Sequence, residues 1–329
     1  MKKAKPAIIL VMKLLVSVGL LVFFFTRIHP ERFFATLATA NFSYVAVGLI
    51  VYLLSQAGSA FRWAVLARPL GFATRLKEYG LYYLIGMFFN LFAPSTVGGD
   101  VTRVYYLARD GEQSGEKAWA VATVPAAVSV FVDRAIGMAV LVWLGALGLA
   151  LYPEYPVPQA IRSLTFALSV GLLVGGLLVP LLRPFLPLDG HPILVKLRLA
   201  MHAYRAHWRV IPQVIVLSFI VHLTQAWMHV IIGKALQIEV PFSFAIILYP
   251  LVGTFAALPI SLNGIGLREG GYLFLLGLIG IGVEKGVAFG LLLFLVVVLD
   301  SLIGGLVFLL RRSPTPALDG SGLTQVSSE

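Results

Sequence analysis

The chain is written in long apolar blocks, several of more than 18 residues, separated by short polar or basic stretches. Blocks of that length read as helices crossing a hydrocarbon core about 30 Å thick, which takes roughly 20 residues. Full spans are predicted at about residues 7–26, 43–61, 163–182, 210–232 and 286–310. The block 118–152 is interrupted at its middle by Asp133-Arg134, so it reads as a lead-in helix followed by a sixth span.

Two further apolar segments are too short to cross. Residues 79–93 rise only about 23 Å at ~1.5 Å per residue, break at Pro94-Ser95-Thr96-Val97-Gly98-Gly99-Asp100, and resume over 101–108. Residues 242–258 break at Pro259 and the run Ser261-Leu262-Asn263-Gly264-Ile265-Gly266, then resume over 267–283. Non-helical backbone at membrane depth persists only where protein or a water-filled cavity satisfies its polar groups, so both units predict re-entrant helical hairpins.

The basic residues give the topology. Lys2, Lys3 and Lys5, then Arg62, Arg68, Arg75 and Lys77, then Arg183, Lys196, Arg198, Arg205 and Arg209, and finally Arg311 and Arg312 fall in segments assigned to the cytoplasmic side. Only Arg27, Arg32, Arg162, Lys234 and Lys285 fall outside, and Lys13, Arg134 and Arg268 lie within apolar segments. No small-residue cleavage site follows the first span, which reads as retained. Each half therefore runs span, span, broken hairpin, span, and an odd number of crossings inverts the second half. The expectation is an all-α polytopic membrane protein of about six spans and two re-entrant hairpins in an inverted repeat. One transmembrane domain, 1–312, contains a first repeat of about 7–152 and a second of about 163–310. Residues 313–329 form a disordered cytoplasmic tail, rich in Ser, Thr, Pro and Gly.

Composition narrows the function. Charged residues make up 12% of the 329 and the AVILMFWYC set 59%, against roughly 25% charged in soluble domains, which excludes a soluble globule. Cysteine is absent, which removes thiolate chemistry and Cys-based metal sites. Gly233-Lys234 lacks the upstream glycine and following hydroxyl of a phosphate-binding loop. The net charge of +10 is a topology signal here rather than a sign of nucleic acid.

An ionised side chain at the bilayer centre costs about 2.5–3.5 kcal/mol on insertion scales, so each one needs a partner or a wet pocket. Arg103 and Arg268 follow the two breaks, where helix N-termini favour anions and guanidinium pairs bidentately with phosphate. Gly98, Gly99, Ser261, Asn263, Gly264 and Gly266 allow close backbone approach, which makes a two-arginine lipid-phosphate site reachable from either leaflet. Asp100, Asp133, Arg134, Glu269 and Asp300 are the expected charge-pairing or gating groups, as fixed ion pairs or as a proton-responsive switch. His222, Gln225 and His229 share one helix face and read as packing hydrogen bonds rather than a metal site. Asn90 and Asn263 read as partners of freed backbone groups, and Tyr79, Tyr82, Tyr83, Phe88 and Phe89 as packing and interface anchors.

The stretch Leu258-Pro-Ile-Ser-Leu-Asn-Gly-Ile-Gly-Leu-Arg-Glu-Gly-Gly271, with the upstream Pro94 to Arg103 motif and the Asp133-Arg134 pair, resembles the flippase-like transmembrane family that includes the membrane region of lysylphosphatidylglycerol synthases. The resemblance extends to about residue 312. It departs in carrying Asp133-Arg134 where Glu-Arg is frequent, and in lacking the soluble aminoacyl-transferase domain, so lysyl transfer is not expected. It implies a stand-alone flippase-like protein of the cytoplasmic membrane, acting on an anionic phospholipid or polyprenyl-linked lipid without cofactor or metal. Two other readings stay open. One is a membrane-embedded lipid phospho-transfer enzyme with Asp100, Asp133 or Glu269 as base; the other is a non-transporting partner of a lipid-modifying enzyme.

Overall fold

The structure, a computed structural model, describes residues 14, 15, 19, 22, 26, 29–92, 97–110, 115–185, 191–258, 261 and 264–311. Among these residues every regular element is helical. A short amphipathic helix, α1 (Pro30–Ala38), leads to α2 (Phe42–Ala67), which is capped by the Asn41 side chain accepting from Ser43 N at 3.0 Å. A 3₁₀ turn at Arg68–Leu70, closed by Gly71 at φ 94°, ends it. The pair α3 (Leu76–Phe92) and α4 (Val97–Asp110) precedes α5 (Gly115–Leu151). The second half holds α6 (Gln159–Leu178), α7 (Pro192–Ala206), α8 (Val210–Ala235), α9 (Phe242–Ala256), α10 (Leu267–Leu278) and α11 (Val283–Leu310).

Among the described residues five helices are long and apolar enough to cross a membrane: Phe42–Leu70, Val121–Leu151, Gln159–Leu181, Val210–Ala235 and Val283–Leu310. Each coincides with a predicted span, and the protein is a multi-pass integral membrane protein. The first predicted span, 7–26, lies outside the described residues apart from isolated positions, as do Pro94–Thr96, Asn263 and the tail from Arg312. One expectation is corrected. The segment 118–152 is not a lead-in helix plus a span but part of the single 37-residue α5, with Pro125 inside it. Asp133 and Arg134 do not interrupt the helix because neighbouring helices satisfy their charges sideways.

Packing follows small residues, as it must where lipid removes the hydrophobic drive between helices. Helices α2 and α8 lie against each other along their length. A Cβ on Gly48 would sit 2.8 Å from Ile232 Cδ1, and one on Gly58 3.0 Å from Val221 Cγ2. Helix α11 rides on α3, where Gly304 touches the Leu84 carbonyl and Gly305 packs on the Phe88 ring. In the other half α5 rides on α9, with Gly145 against Pro250 and Gly148 against Ile247. Helix α6 contributes no buried residue and presents itself to lipid on the periphery.

The helix ends sort onto two sides. On one, Arg311 pairs with Glu78 at 2.9 Å, and the Tyr204 hydroxyl donates to Leu66 O at 3.1 Å. That side collects Arg68, Arg75, Lys77, Arg205 and Arg209. On the other, Asn41 N donates to Ala235 O at 2.8 Å, and Arg162 donates to the carbonyls of Leu149, Pro153, Tyr155 and Val157. Arg162 is thus spent on tying the 152–158 loop to the C-terminus of α5, where cations are favoured.

Candidate functional site

The first hairpin is built by contact of two backbones. Gly86 of α3 and Gly99 of α4 meet so closely that a Cβ on Gly99 would collide with the Gly86 carbonyl. The Asn90 side chain accepts from Gly99 N at 2.8 Å, satisfying one of the N–H groups that open α4. That approach sets the course of Arg103, one turn further along.

Arg103 is buried, at 5% exposure, and donates from one terminal nitrogen to Asp133 Oδ2 at 2.9 Å. Its other terminal nitrogen lies 3.7 Å from Asp100 Oδ1. The guanidinium stands over the Trp63 ring at 4.2 Å and the Tyr83 ring at 4.6 Å, the arrangement in which aromatic faces attract a desolvated cation. Its Nε is buried without a hydrogen-bond partner. Asp133 also accepts from Arg62 Nε at 2.8 Å, and Arg62 reaches Ser218 Oγ on α8 at 3.0 Å. Arg134, 41% exposed at its side chain, pairs with Asp100 Oδ2 at 2.5 Å. Three guanidiniums and two carboxylates from α2, α4 and α5 therefore meet in one cluster.

Sequence spacing anticipates Asp100, Arg103, Asp133 and Arg134, and the fold brings these four together. Arg62 is a correction: the helix does not end at residue 61 but runs to Ala67, so Arg62 is not a loop residue but lies 5% exposed inside α2. Its signal was available, since Tyr52, Ser55, Gln56, Ser59 and Arg62 recur at three- and four-residue steps and mark one buried polar face. Trp63, Tyr83 and Ser218, the remaining walls of the cluster, carry no comparable local signal.

The second hairpin is tied differently. Gly264 (φ 78°) and Gly266 (φ 84°) turn in the left-handed region that favours glycine. A Cβ on Gly264 would also meet the Ala256 carbonyl at 2.9 Å. Gly266 N donates to Glu269 Oε2 at 2.6 Å, so Glu269 caps the helix on which it stands. Ser261 is buried, and its hydroxyl has no hydrogen-bond partner. Arg268 follows in the first turn of α10, within electrostatic reach of Tyr52, His229 and Tyr272.

The polar face of α8 holds helices together. His222 bridges Gly137 O and the Tyr249 hydroxyl, each at 2.9 Å, and Gln225 donates to Ser55 Oγ at 2.7 Å. His229 contacts Gln225 O at 2.7 Å and the Tyr272 hydroxyl at 2.8 Å. No group of three His, Cys, Asp or Glu suited to a metal occurs among the described residues.

A helical, multi-pass membrane protein with a charge cluster beside a close-packed hairpin is the class this geometry defines. Residues 10–304 match the lysylphosphatidylglycerol synthase TM region family, and the chain belongs to that family. It is also similar to UPF0104 membrane protein MJ1595 of Methanocaldococcus jannaschii, 28% identical over 109 residues, which cover 33% of this chain and 31% of the archaeal protein. The aligned stretch thus spans about a third of that relative's length.

Proposed function

We propose that this chain is a flippase-like protein that carries the anionic head group of a phospholipid or polyprenyl-linked lipid across the cytoplasmic membrane, with both ends of the chain cytoplasmic. The observation that carries the reading is the gathering of Arg62, Arg103 and Arg134 around Asp100 and Asp133 beside the first hairpin. A guanidinium pairs strongly with phosphate, and Arg134, with 41% of its side chain exposed, is the most accessible cation of the cluster. The Arg103 guanidinium, held by Asp133 and Asp100, is shared with the incoming head group. Arg268 approaches from the second hairpin beside Ser261, Gly264 and Gly266.

The architecture that serves this function is six spans and two re-entrant hairpins in an inverted repeat, as in many secondary transporters. Two observations support it. The packing partners exchange between halves: α3 rides with α11 as α9 does with α5, and α4 rests on α5 as α10 does on α11. The same text also recurs at the centre of the closing helix of each half, Asp133-x-x-Ile136-Gly137 and Asp300-x-x-Ile303-Gly304.

Mass spectrometry of lipids retained by the purified protein tests the site. One anionic or polyprenyl lipid class enriched in the wild type and depleted in both Arg134→Ala and Arg268→Ala is the expected result. Retention that mirrors the host membrane in all three proteins refutes it. Reconstitution with a labelled lipid of the retained class then reads translocation, and a chemically altered lipid would identify an enzyme instead.

A further inference from the structure

The two matched aspartates have opposite surroundings. Asp133 receives two guanidiniums. Asp300, on the matching Asp-x-x-Ile-Gly text of α11, is fully buried, and neither of its carboxylate oxygens has a hydrogen-bond partner. No ion pair joins it to any cation among the described residues. The 167-residue offset from Asp133 to Asp300 also runs from Arg62 to His229, so on the repeat proposed above an imidazole stands in for the first arginine. That imidazole is already engaged by Gln225 O and the Tyr272 hydroxyl.

A carboxylate buried with no cation paired to it and no donor in hydrogen-bonding geometry is among the costliest groups a protein interior can hold in ionised form. We propose that Asp300 is a proton-binding site, occupied by a proton in the arrangement seen here and emptied to water when the helices around it open. The step is a dissociation only: the Oδ–H bond breaks, its electron pair stays on the carboxylate, and the proton passes to an entering water.

The surroundings fit a neutral acid. From α2, Tyr52 and the Gln56 amide lie alongside, the latter without hydrogen-bond geometry. From α3 the contacts to this stretch of α11 are apolar or backbone, at Leu84, Met87 and Phe88. From α10, Glu269 packs near Gly290 with its carboxylate on Gly266 N, and Tyr272 packs on Phe289. From α8, His229 also packs on Phe289. From α1, Glu31 and Arg32 are exposed.

Resting on the translocation reading above, the site supplies that reading with a coupling ion: proton release at Asp300 alters by one charge the centre through which an anionic head group passes. The proton site itself stands or falls apart from transport. Infrared difference spectroscopy after a pH step, on protein in lipid, is expected to contain a protonated-carboxyl stretch that shifts in D₂O. It should disappear in Asp300→Asn and reappear displaced in Asp300→Glu, with Asp300→Asn keeping the wild-type thermal midpoint. A wild-type spectrum with no band assignable to Asp300 overturns the proposal. So does loss of folding in Asp300→Asn combined with a spectrum of ionised carboxylate.

In proteoliposomes with a labelled anionic lipid, a pH gradient should change the wild-type translocation rate several-fold and leave Asp300→Asn unaffected. A wild type that keeps the band but moves no lipid retains the proton site and sinks the flippase reading. Translocation indifferent to the gradient in both proteins, without the band, sinks the proton site and keeps the flippase.

Discussion

Neutralising Asp133 is the sharpest test of how the charge cluster is held. The carboxylate is 1% exposed and binds Arg62 Nε at 2.8 Å and Arg103 at 2.9 Å. In Asp133→Asn the amide oxygen can accept from one guanidinium, and its NH₂ faces the other. Arg62 then keeps Ser218, while Arg103 keeps only Asp100 at 3.7 Å and the Trp63 and Tyr83 faces. Removing one partner of a buried ion pair costs about 3–5 kcal/mol. Two cations share this carboxylate, which pushes the loss upward, and the retained hydrogen bond and aromatic faces pull it back, each by about 1 kcal/mol. The expected destabilisation is therefore about 4 kcal/mol, read by equilibrium unfolding in mixed micelles. Arg62→Gln alone leaves Asp133 with Arg103, so its loss is smaller. The Arg62→Gln/Asp133→Asn pair should fall short of the sum of the singles by about 1–3 kcal/mol, because the second change removes a cation the first had orphaned. A loss below about 1 kcal/mol in Asp133→Asn, or strict additivity in the cycle, refutes the cluster as the support of this region.

Glycine substitutions separate packing from lipid-facing positions: Gly304→Ala, pressed on the Leu84 carbonyl, should lower stability by about 1–3 kcal/mol, whereas Gly171→Ala, with nothing near its Cβ, should be neutral or stabilising. The opposite outcome in thermal melts would overturn the α3–α11 contact. The absence of native cysteine makes topology directly readable: Ala206→Cys should react with an impermeant thiol reagent only from the cytoplasm and Glu154→Cys only from outside. Labelling of both positions from one side contradicts the placement of the helix ends.

Much of the fold was legible along the chain. Which segments are long and apolar enough to span depends on a residue and its immediate neighbours in lipid, where hydropathy acts locally. Asp100, Arg103, Asp133 and Arg134 were each legible for the same reason, since an intramembrane charge declares itself by its surroundings. Their mutual pairing was not. Nothing in the Asp133 segment specifies that α2 continues past Arg62, or that one carboxylate answers two arginines. Glu269 looked like a counter-ion until the turn at Gly266 placed a backbone N–H against it.

The contrast between Asp133 and Asp300 belongs to the tertiary structure altogether. Both sit in the same short text, on the closing helix of each half. One is ionised by neighbours from α2 and α4, and the other meets a tyrosine, an amide and apolar walls. Local sequence determines which segments enter the membrane, because transfer free energy is summed residue by residue along a helix. Which charges find partners there depends on helix–helix contacts between residues far apart in sequence, set by the fit of glycines against carbonyls and rings, and only the packed molecule decides them.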